Sequence, residues 1–121
     1  MGKKIRLAIV GSRSFTDYNF LVEEIRKGFG KYKIECVVSG GATGADTLGA
    51  RFANENGIPL VEYKPEWDKY GKKAGSMRNV DIINNCTHCI AFWDGKSHGT
   101  KFDIKLCKEM GKPCKVVLFG K

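Results

Sequence analysis

Several features that mark membrane, secreted or tail-mediated nucleic-acid-binding proteins are missing from this chain of 121 residues. No stretch approaches the roughly 20 apolar residues of a transmembrane helix. The N-terminus, Met1-Gly2-Lys3-Lys4, leads into a strand-like run without the apolar segment of a signal peptide. No run of five or six like charges appears, so a nucleic-acid-binding tail is not indicated. We therefore expect a cytoplasmic protein that does not bind membranes.

Two nucleotide-binding motifs are also missing. The sequence contains no G-x-x-x-x-G-K-[ST] loop, which argues against NTP hydrolysis by a P-loop enzyme. The first apolar run is followed by Gly11-Ser12-Arg13-Ser14-Phe15-Thr16, which does not fit G-x-G-x-x-G. This absence argues against a standard NAD dehydrogenase.

The five cysteines are an odd number, which suits a reduced compartment better than a disulfide framework. Cys86-Thr87-His88-Cys89 has the spacing of half a zinc site, but a structural zinc site needs a second ligand pair. The only candidates are Cys107 and Cys114. Six residues lie between them, and they span a predicted helix end and the start of a predicted strand. We therefore expect no metal and no cofactor. Cys36, Cys89 and Cys114 are interpreted as small apolar residues of buried strands.

Size and charge limit the class of partner. The length fits one domain, residues 1–121, that can bury a hydrophobic core. The net charge of +8 favours anionic partners. However, the lysines are scattered, and Lys3-Lys4 and Lys72-Lys73 are the only adjacent pairs. We therefore expect most of the charged side chains to lie on the solvated surface and a few of them to form a phosphate site.

Five short apolar runs alternate with helix-length segments, which predicts βαβ units around a parallel sheet. The runs are residues 5–10, 34–38, 59–63, 88–93 and 115–119. They are continuous rather than alternating, as in strands that helices cover on both faces. The predicted fold class is α/β, a doubly wound, five-stranded, mainly parallel sheet with helices on both faces.

Four helices are predicted between the strands. Asp17 caps the first helix, the second begins in the glycine turn 39–46, and the others open at Gly75-Ser76 and Gly99-Thr100. Met77 is a candidate for the core face of the third helix, and the fourth is expected to bury apolar residues as far as Met110. The segment 64–74 is the longest connection, which predicts a lid or a binding element.

Polar, glycine-bearing turns follow the first four strands, at residues 11–14, 40–44, 75–79 and 94–101. In an open α/β sheet, ligands bind outside the carboxyl ends of the strands, where the strand order reverses. We therefore predict one ligand-binding rim. Its predicted members are Gly11, Ser12, Arg13, Gly40, Gly41, Thr43, Gly44, Asp46, Trp67, Arg78, Asn79, Gly99 and Thr100.

The residue types suggest roles in holding a phosphorylated ligand. The three glycines of the turn, Gly40, Gly41 and Gly44, allow backbone N–H groups to approach a phosphate, and Gly99-Thr100 forms a second helix N-terminus for phosphate or ribose. Arg13 and Arg78 offer bidentate forks for phosphate oxygens.

Other rim residues keep alternative roles. Asp46 stabilises its helix dipole, and it is also a candidate to bind a ribose hydroxyl or to hold Arg13 or Arg78. Trp67 and Tyr70 either stack on a base or close the loop over the core. His98, in a glycine-flanked turn, is interpreted as an exposed spacer rather than a general base.

Taken in order, the motifs resemble the YspA-type branch of the SLOG superfamily across nearly the whole chain. They are Gly11-Ser12-Arg13, the segment 39–46, Trp67-Asp68, the segment 71–79 and Gly99-Thr100. The resemblance implies a Rossmann-like domain that binds nucleotides or nucleotide-derived ligands. Its relatives include the LOG phosphoribohydrolases, the DNA-binding DprA proteins and ligand-sensing domains of bacterial and phage conflict systems.

The LOG enzymes cleave a nucleotide N-glycosidic bond with a P-G-G-x-G-T-x-x-E motif and an upstream arginine. Gly99 and Thr100 match this motif and Arg78 would match the arginine, but the leading Pro-Gly-Gly is absent and Asp103 replaces the glutamate. The resemblance therefore names Arg78 and Asp103 as candidate catalytic residues. Because the aspartate side chain is one methylene shorter than that of glutamate, Asp103 supports glycosidic hydrolysis less well than a glutamate would.

Three functions follow, in order of preference. The first is binding of a nucleotide-like small molecule at the strand ends, the second is phosphoribohydrolase-type N-glycosidase activity, and the third is DprA-like nucleic-acid binding. The scattered lysines and the lack of aromatic-basic interleaving place nucleic acid last. A homo-oligomer is left open, because related domains often pair through helix faces.

Overall fold

The computed structural model describes residues 3–120. Strands and helices alternate along these residues, as the apolar runs predict. The strands are β1 (Lys4–Gly11), β2 (Lys33–Ser39), β3 (Leu60–Glu62), β4 (His88–Trp93) and β5 (Cys114–Leu118). The helices are α1 (Tyr18–Phe29), α2 (Ala45–Glu55), α3 (Trp67–Tyr70), α4 (Ala74–Asn84) and α5 (His98–Met110), with a 3₁₀ turn at Gly71–Lys73.

The strands form one sheet in the order β3-β2-β1-β4-β5, and every pair is parallel. The α/β class and the Rossmann-like arrangement are therefore confirmed, with an all-parallel sheet in place of a mainly parallel one. The chain first builds outward from β1 through β2 to β3, and then returns to add β4 on the other side of β1. The strand order reverses between β1 and β4, where a doubly wound fold places its ligand crevice.

Helices cover both faces of the sheet and enclose two apolar clusters. Residues of α1 and α2 pack on one face with Leu7, Ile9 and Phe92. Residues of α4 and α5 pack on the other face with Ala8 and Val10. Successive residues of β1 thus point to opposite faces, and both sets are buried, which is why its sequence reads as a continuous apolar run.

The predicted helix signals hold at most positions. Asp17 caps α1, where its side chain accepts a hydrogen bond from the N–H of Phe20 at 3.1 Å. Met77 was expected at the core and is 39 % exposed. It lies five residues before the buried Ile82, about 140° away around a helix with 3.6 residues per turn. Met110, also expected inside, is exposed at the last residue of α5.

The segment 64–74 is not an irregular loop. It contains α3 and the 3₁₀ turn, and it runs directly into α4. Within residues 3–120, every helix is too short or too polar to cross a membrane.

Candidate functional site

A cleft of about 480 Å³ opens between the carboxyl ends of β1 and β4, at the reversal of strand order. This volume lies in the range of small-molecule sites, about 300–1,000 Å³. Its lining residues come from the turn after β1, the N-terminal end of α2, α4, and the turn between β4 and α5. They are Val10, Gly11, Ser12, Arg13, Ser14, Ala42, Asp46, Arg78, Asn79, Ile82, Asp94, Ser97, Gly99, Thr100 and Asp103.

Arg78, in the second turn of α4, is held in the wall of the cleft by two hydrogen bonds. Its Nη1 donates to the carbonyl oxygen of Gly40 at 2.8 Å, and its Nε donates to Asn79 Oδ1 at 2.9 Å. A Cβ atom on Gly40 would lie 2.7 Å from Arg78 Nη1 and 3.0 Å from Asp46 Oδ2. Gly40 therefore makes room for the guanidinium, whereas the sequence suggested that it makes room for phosphate.

Asp46 occupies part of the glycine turn itself. It is buried, and its Oδ2 accepts a hydrogen bond from the N–H of Ala42 at 3.2 Å. The N–H of Gly41 donates to Ser39 Oγ at 3.4 Å. Burial raises the pKa of Asp46 to about 6, and the bond from Ala42 and the charge of Arg78 oppose that rise. The chain's own oxygens thus satisfy two of the turn's amides, so those amides are not free to cradle a phosphate.

Asp103, on α5, is the most perturbed carboxyl group in the cleft. Only 6 % of the residue is exposed, and its Oδ1 has no hydrogen-bond partner among residues 3–120. Burial raises its pKa to about 8, and the Asp46 carboxylate adds to the rise while Arg78 opposes it. At neutral pH, Asp103 is therefore mostly protonated and can donate a hydrogen bond.

A chain of hydroxyl groups ties the end of β1 to the start of α5. Ser12 Oγ lies 2.8 Å from Ser97 Oγ, which donates to Thr100 Oγ1 at 3.1 Å. Asp94 Oδ1 accepts hydrogen bonds from the N–H groups of Lys96 and Ser97, both at 2.8 Å. These bonds lower the pKa of Asp94 and fix the turn that leads into α5.

The N-terminus of α5 is open to the cleft. Its N-cap residue, Ser97, makes no side-chain hydrogen bond to the backbone of the helix. A Cβ atom on Gly99 would meet nothing within 4 Å. Because the first amides of a helix lack intrahelical partners and carry the positive end of its dipole, this turn can accept an anion.

A second groove adjoins the cleft and shares Arg13, Ala42 and Arg78 with it. Its other lining residues are Gly40, Gly41, Lys64, Pro65 and Trp67. Trp67 is 55 % exposed and does not cover the core, which was one of its two predicted roles. Its ring packs near Gly75, and the exposed part of the ring offers a surface for stacking.

The structure brings most of the predicted site residues to one edge of the sheet. Gly11, Ser12, Arg13, Asp46, Arg78, Asn79, Gly99, Thr100 and Asp103 line the main cleft, and Gly40, Gly41 and Trp67 line the adjoining groove. Thr43 and Gly44 line neither. Gly44 instead has a φ of +79° at the start of α2, and a Cβ there would lie 2.4 Å from the Arg13 carbonyl oxygen.

Six lining residues were not predicted individually: Val10, Ser14, Ala42, Ile82, and the polar pair Asp94 and Ser97 of the predicted turn 94–101. The spacing of this pair was the available signal, because an aspartate three residues before a serine at a helix start is typical of a turn closed by side-chain oxygens. His98 is exposed, as expected of a spacer.

The cysteines lie away from the cleft. Cys89, Cys107 and Cys114 converge at the opposite end of the sheet, with sulfur atoms within 4.8 Å of one another. The sequence spacing had argued against such a cluster, because it does not show that β4 and β5 are neighbours.

One family model matches this chain. It is YAcAr, the YspA, cpYpsA-related SLOG family, and it matches residues 5–70, more than half of the sequence. The match confirms the family resemblance that the motifs indicated. It extends from β1 to α3, so Arg78 and Asp103 lie beyond it. No curated protein matches the sequence.

Proposed function

This chain belongs to the YspA, cpYpsA-related SLOG family, and we propose that it binds a nucleotide or a nucleotide-derived phosphorylated ligand in the cleft between β1 and β4. The observation that carries the proposal is that Arg78 and the first turn of α5 lie in the walls of one cleft. A fixed guanidinium and a helix N-terminus are both strong phosphate-binding groups.

The phosphate end is assigned to Arg78, Arg13 and the Gly99-Thr100 turn. Two donors of Arg78 are engaged by Gly40 and Asn79, which hold the planar group in place while its Nη2 has no partner within the described residues. Arg13 is exposed and makes no ion pair among residues 3–120, so it is able to close on a ligand from the other side. Arg78 is already fixed and so loses little side-chain entropy when a ligand binds, whereas the exposed Arg13 loses more.

The base end is assigned to the adjoining groove. Trp67 presents an exposed ring there, and Arg13 and Arg78 are common to the groove and the cleft. A ligand with a phosphate at the α5 turn can therefore extend past the two arginines to stack on Trp67. Stacking tolerates any base, so this feature supports a nucleotide without choosing which one.

The experiment is calorimetric titration with AMP, ADP and ADP-ribose, each compared with adenosine, which lacks phosphate. We expect binding that requires phosphate, and a loss of about tenfold to a hundredfold in affinity for Arg78→Gln, since a hydrogen bond to a charged group contributes about 1.5–3 kcal/mol. Arg26→Gln is the matched control, because Arg26 is exposed near the carboxyl end of α1, at the other end of the strands.

Binding that is equal for adenosine and AMP, or equal losses in the two variants, would contradict the proposal. A titration with single-stranded DNA over a range of salt concentrations addresses the third function. DNA binding with a steep salt dependence that Arg78→Gln does not alter would favour nucleic acid instead.

One observation favours turnover as a second function: Asp103 lines the same cleft as Arg78, and its buried Oδ1 has no hydrogen-bond partner among residues 3–120. Because burial raises its pKa to about 8, its carboxyl group can carry the proton that this step needs. In the proposed N-glycosidase step, Asp103 donates its proton to the leaving base as the bond between the base nitrogen and the anomeric carbon breaks. The hydroxyl of a water molecule bonds to the anomeric carbon, and the remaining proton returns to the Asp103 carboxylate. The products are the free base and ribose 5-phosphate.

Incubation with AMP followed by chromatography of the products separates binding from turnover. Release of adenine by the wild type, and its loss in Asp103→Asn with AMP still bound, would support the hydrolase. Intact AMP together with calorimetric binding supports a binding module, and it would rule out hydrolysis of this nucleotide.

A further inference from the structure

The second notable group of side chains lies at the end of the sheet opposite the cleft. Cys89 is the second residue of β4, Cys114 is the first residue of β5, and Cys107 lies near the end of α5. Cys89 and Cys114 are direct partners in the parallel register. Three separate elements therefore bring three thiols together, with all sulfur atoms within 4.8 Å of one another.

The spacing fits one metal ion between the three sulfur atoms. With metal–sulfur bonds of about 2.3 Å, a trigonal planar ion holds its sulfur ligands about 4.0 Å apart. Small rotations about the Cys χ1 angles would bring the sulfur atoms to such distances without moving the backbone, because the three are already neighbours. All the cysteines among the described residues are free thiols.

The number of ligands distinguishes between metals. Cys86 is buried nearby, but its thiol donates to the carbonyl oxygen of Ile83 at 3.2 Å, and it is not part of the three-sulfur group. A structural zinc ion requires four ligands, whereas soft thiolates also select copper(I), which is stable with three. Three sulfur atoms without a fourth ligand therefore fit copper(I) better than zinc.

The surroundings suit a thiolate-bound ion. Cys89 and Cys107 are buried and Cys114 is half-buried, so the cluster is largely screened from water. The Lys112 ammonium donates to the carbonyl oxygen of Cys86 at 2.7 Å and brings a positive charge to this end of the sheet. Three thiolates and one copper(I) carry a net charge of two minus, which a neighbouring cation partly offsets.

We propose that Cys89, Cys107 and Cys114 form a binding site for one thiophilic ion, with copper(I) as the preferred occupant. Each thiol loses its proton to solvent as its sulfur coordinates the ion, and no oxidation or reduction occurs. None of the three cysteines lines the cleft, although Cys107 is one turn of α5 beyond Asp103, which does. The proposal does not depend on nucleotide binding.

The test is an anaerobic titration of the fully reduced protein with copper(I) against a chromophoric copper(I) chelator. We expect the protein to withdraw one ion per chain, with charge-transfer absorption in the ultraviolet and X-ray absorption that reports three sulfur neighbours. Cys114→Ser should weaken the affinity by at least about tenfold to a hundredfold, the loss caused by removing even an outer-shell partner of a metal ligand. A parallel titration with zinc should give weaker binding.

Cys36→Ser is the matched control, because Cys36 is a buried cysteine of β2 on the same face of the sheet but outside the cluster. It should bind copper(I) like the wild type. Circular dichroism confirms that each variant is folded, and the wild-type stoichiometry and X-ray spectrum test the proposal even if Cys114→Ser does not fold. The proposal would be overturned if all the copper stayed on the chelator, if both variants lost affinity equally, or if zinc bound more tightly. Rapid formation of a disulfide within the cluster that prevents copper binding would also overturn it.

Discussion

Gly40 is important because the Arg78 side chain occupies the place where a Cβ atom would be. The guanidinium lies against the glycine and donates to its carbonyl oxygen. The sequence placed both residues in one predicted rim and assigned them separate contacts with phosphate. Only the folded chain shows that one positions the other.

Replacing Gly40 with alanine should therefore reduce ligand affinity more than stability. A Cβ at 2.7 Å from Arg78 Nη1 displaces the end of a flexible side chain rather than backbone, so we expect a loss of less than about 1 kcal/mol in unfolding free energy. The displaced arginine should lower the affinity for AMP about tenfold, because it loses part of a charge-assisted contact. Calorimetry and urea denaturation measure the two effects.

Gly75→Ala is the control for Gly40→Ala, since a Cβ on Gly75 would make an ordinary 3.5 Å contact with the Trp67 ring. It should retain wild-type affinity. A large loss of stability with unchanged affinity in Gly40→Ala would instead assign Gly40 to the fold.

The proton on Asp103 predicts a pH dependence of ligand binding. Burial holds the pKa of Asp103 at about 8, so its carboxyl group is a neutral donor below that pH and a repulsive anion above it. Affinity for AMP should fall between pH 7 and 9, approaching tenfold per unit once the group titrates. The phosphate of AMP is mostly dianionic across this range, so its own ionisation contributes little, and any contribution raises rather than lowers the affinity. Calorimetry at each pH should show a flat profile for Asp103→Asn, and a flat wild-type profile would contradict the assignment.

The turn between β2 and α2 shows how far a glycine pattern can be interpreted. Its apolar strand and following helix were predicted correctly, and it lies at the expected edge of the sheet. The partners of its amides could not be predicted, because they depend on Asp46 and Ser39 folding back onto the turn. Gly44 is required for packing, since the turn passes against the carbonyl groups of Ser12 and Arg13.

Two glycines that both have a positive φ should therefore respond very differently to alanine. Gly44 has a φ of +79° and lies against backbone, where a Cβ would be 2.4–2.5 Å from two carbonyl oxygens. Gly57 has a φ of +65° with nothing within 4 Å. Urea denaturation should show a loss of about 1 kcal/mol for Gly57→Ala and more than about 3 kcal/mol for Gly44→Ala. Equal losses would mean that the turn can move away from β1.

Across the whole domain, the sequence predicted the layers better than the contacts between them. Each predicted strand overlaps an observed one. A buried parallel strand must be apolar along its length, which accounts for the central strands β1 and β4. The convergence of Cys89, Cys107 and Cys114 was not foreseen, since the pairing of β4 with β5 depends on tertiary structure. The same limit applies to Asp103, whose pKa is raised mainly by burial and by the Asp46 carboxylate, which is far from it in sequence.

The free energy of unfolding should depend on pH because Asp103 is buried. In the folded state Asp103 keeps its proton up to about pH 8, whereas in the unfolded chain it ionises near its ordinary value of 3.8. The unfolded state therefore gains from ionisation first, so this group's contribution to stability is lost as the pH rises from about 4 to about 8. Asp46 acts in the same direction between about pH 4 and pH 6.

Asp103→Asn removes the effect of Asp103, so the stability of this variant relative to wild type should rise by up to about 1.4 kcal/mol per pH unit from about pH 4 to about pH 8 and then level off. Urea denaturation of the wild type and Asp103→Asn at pH 4, 6, 8 and 9 measures the difference. A difference that does not change with pH would mean that Asp103 is ionised in the folded protein, and the neutral donor in the cleft would be lost with it.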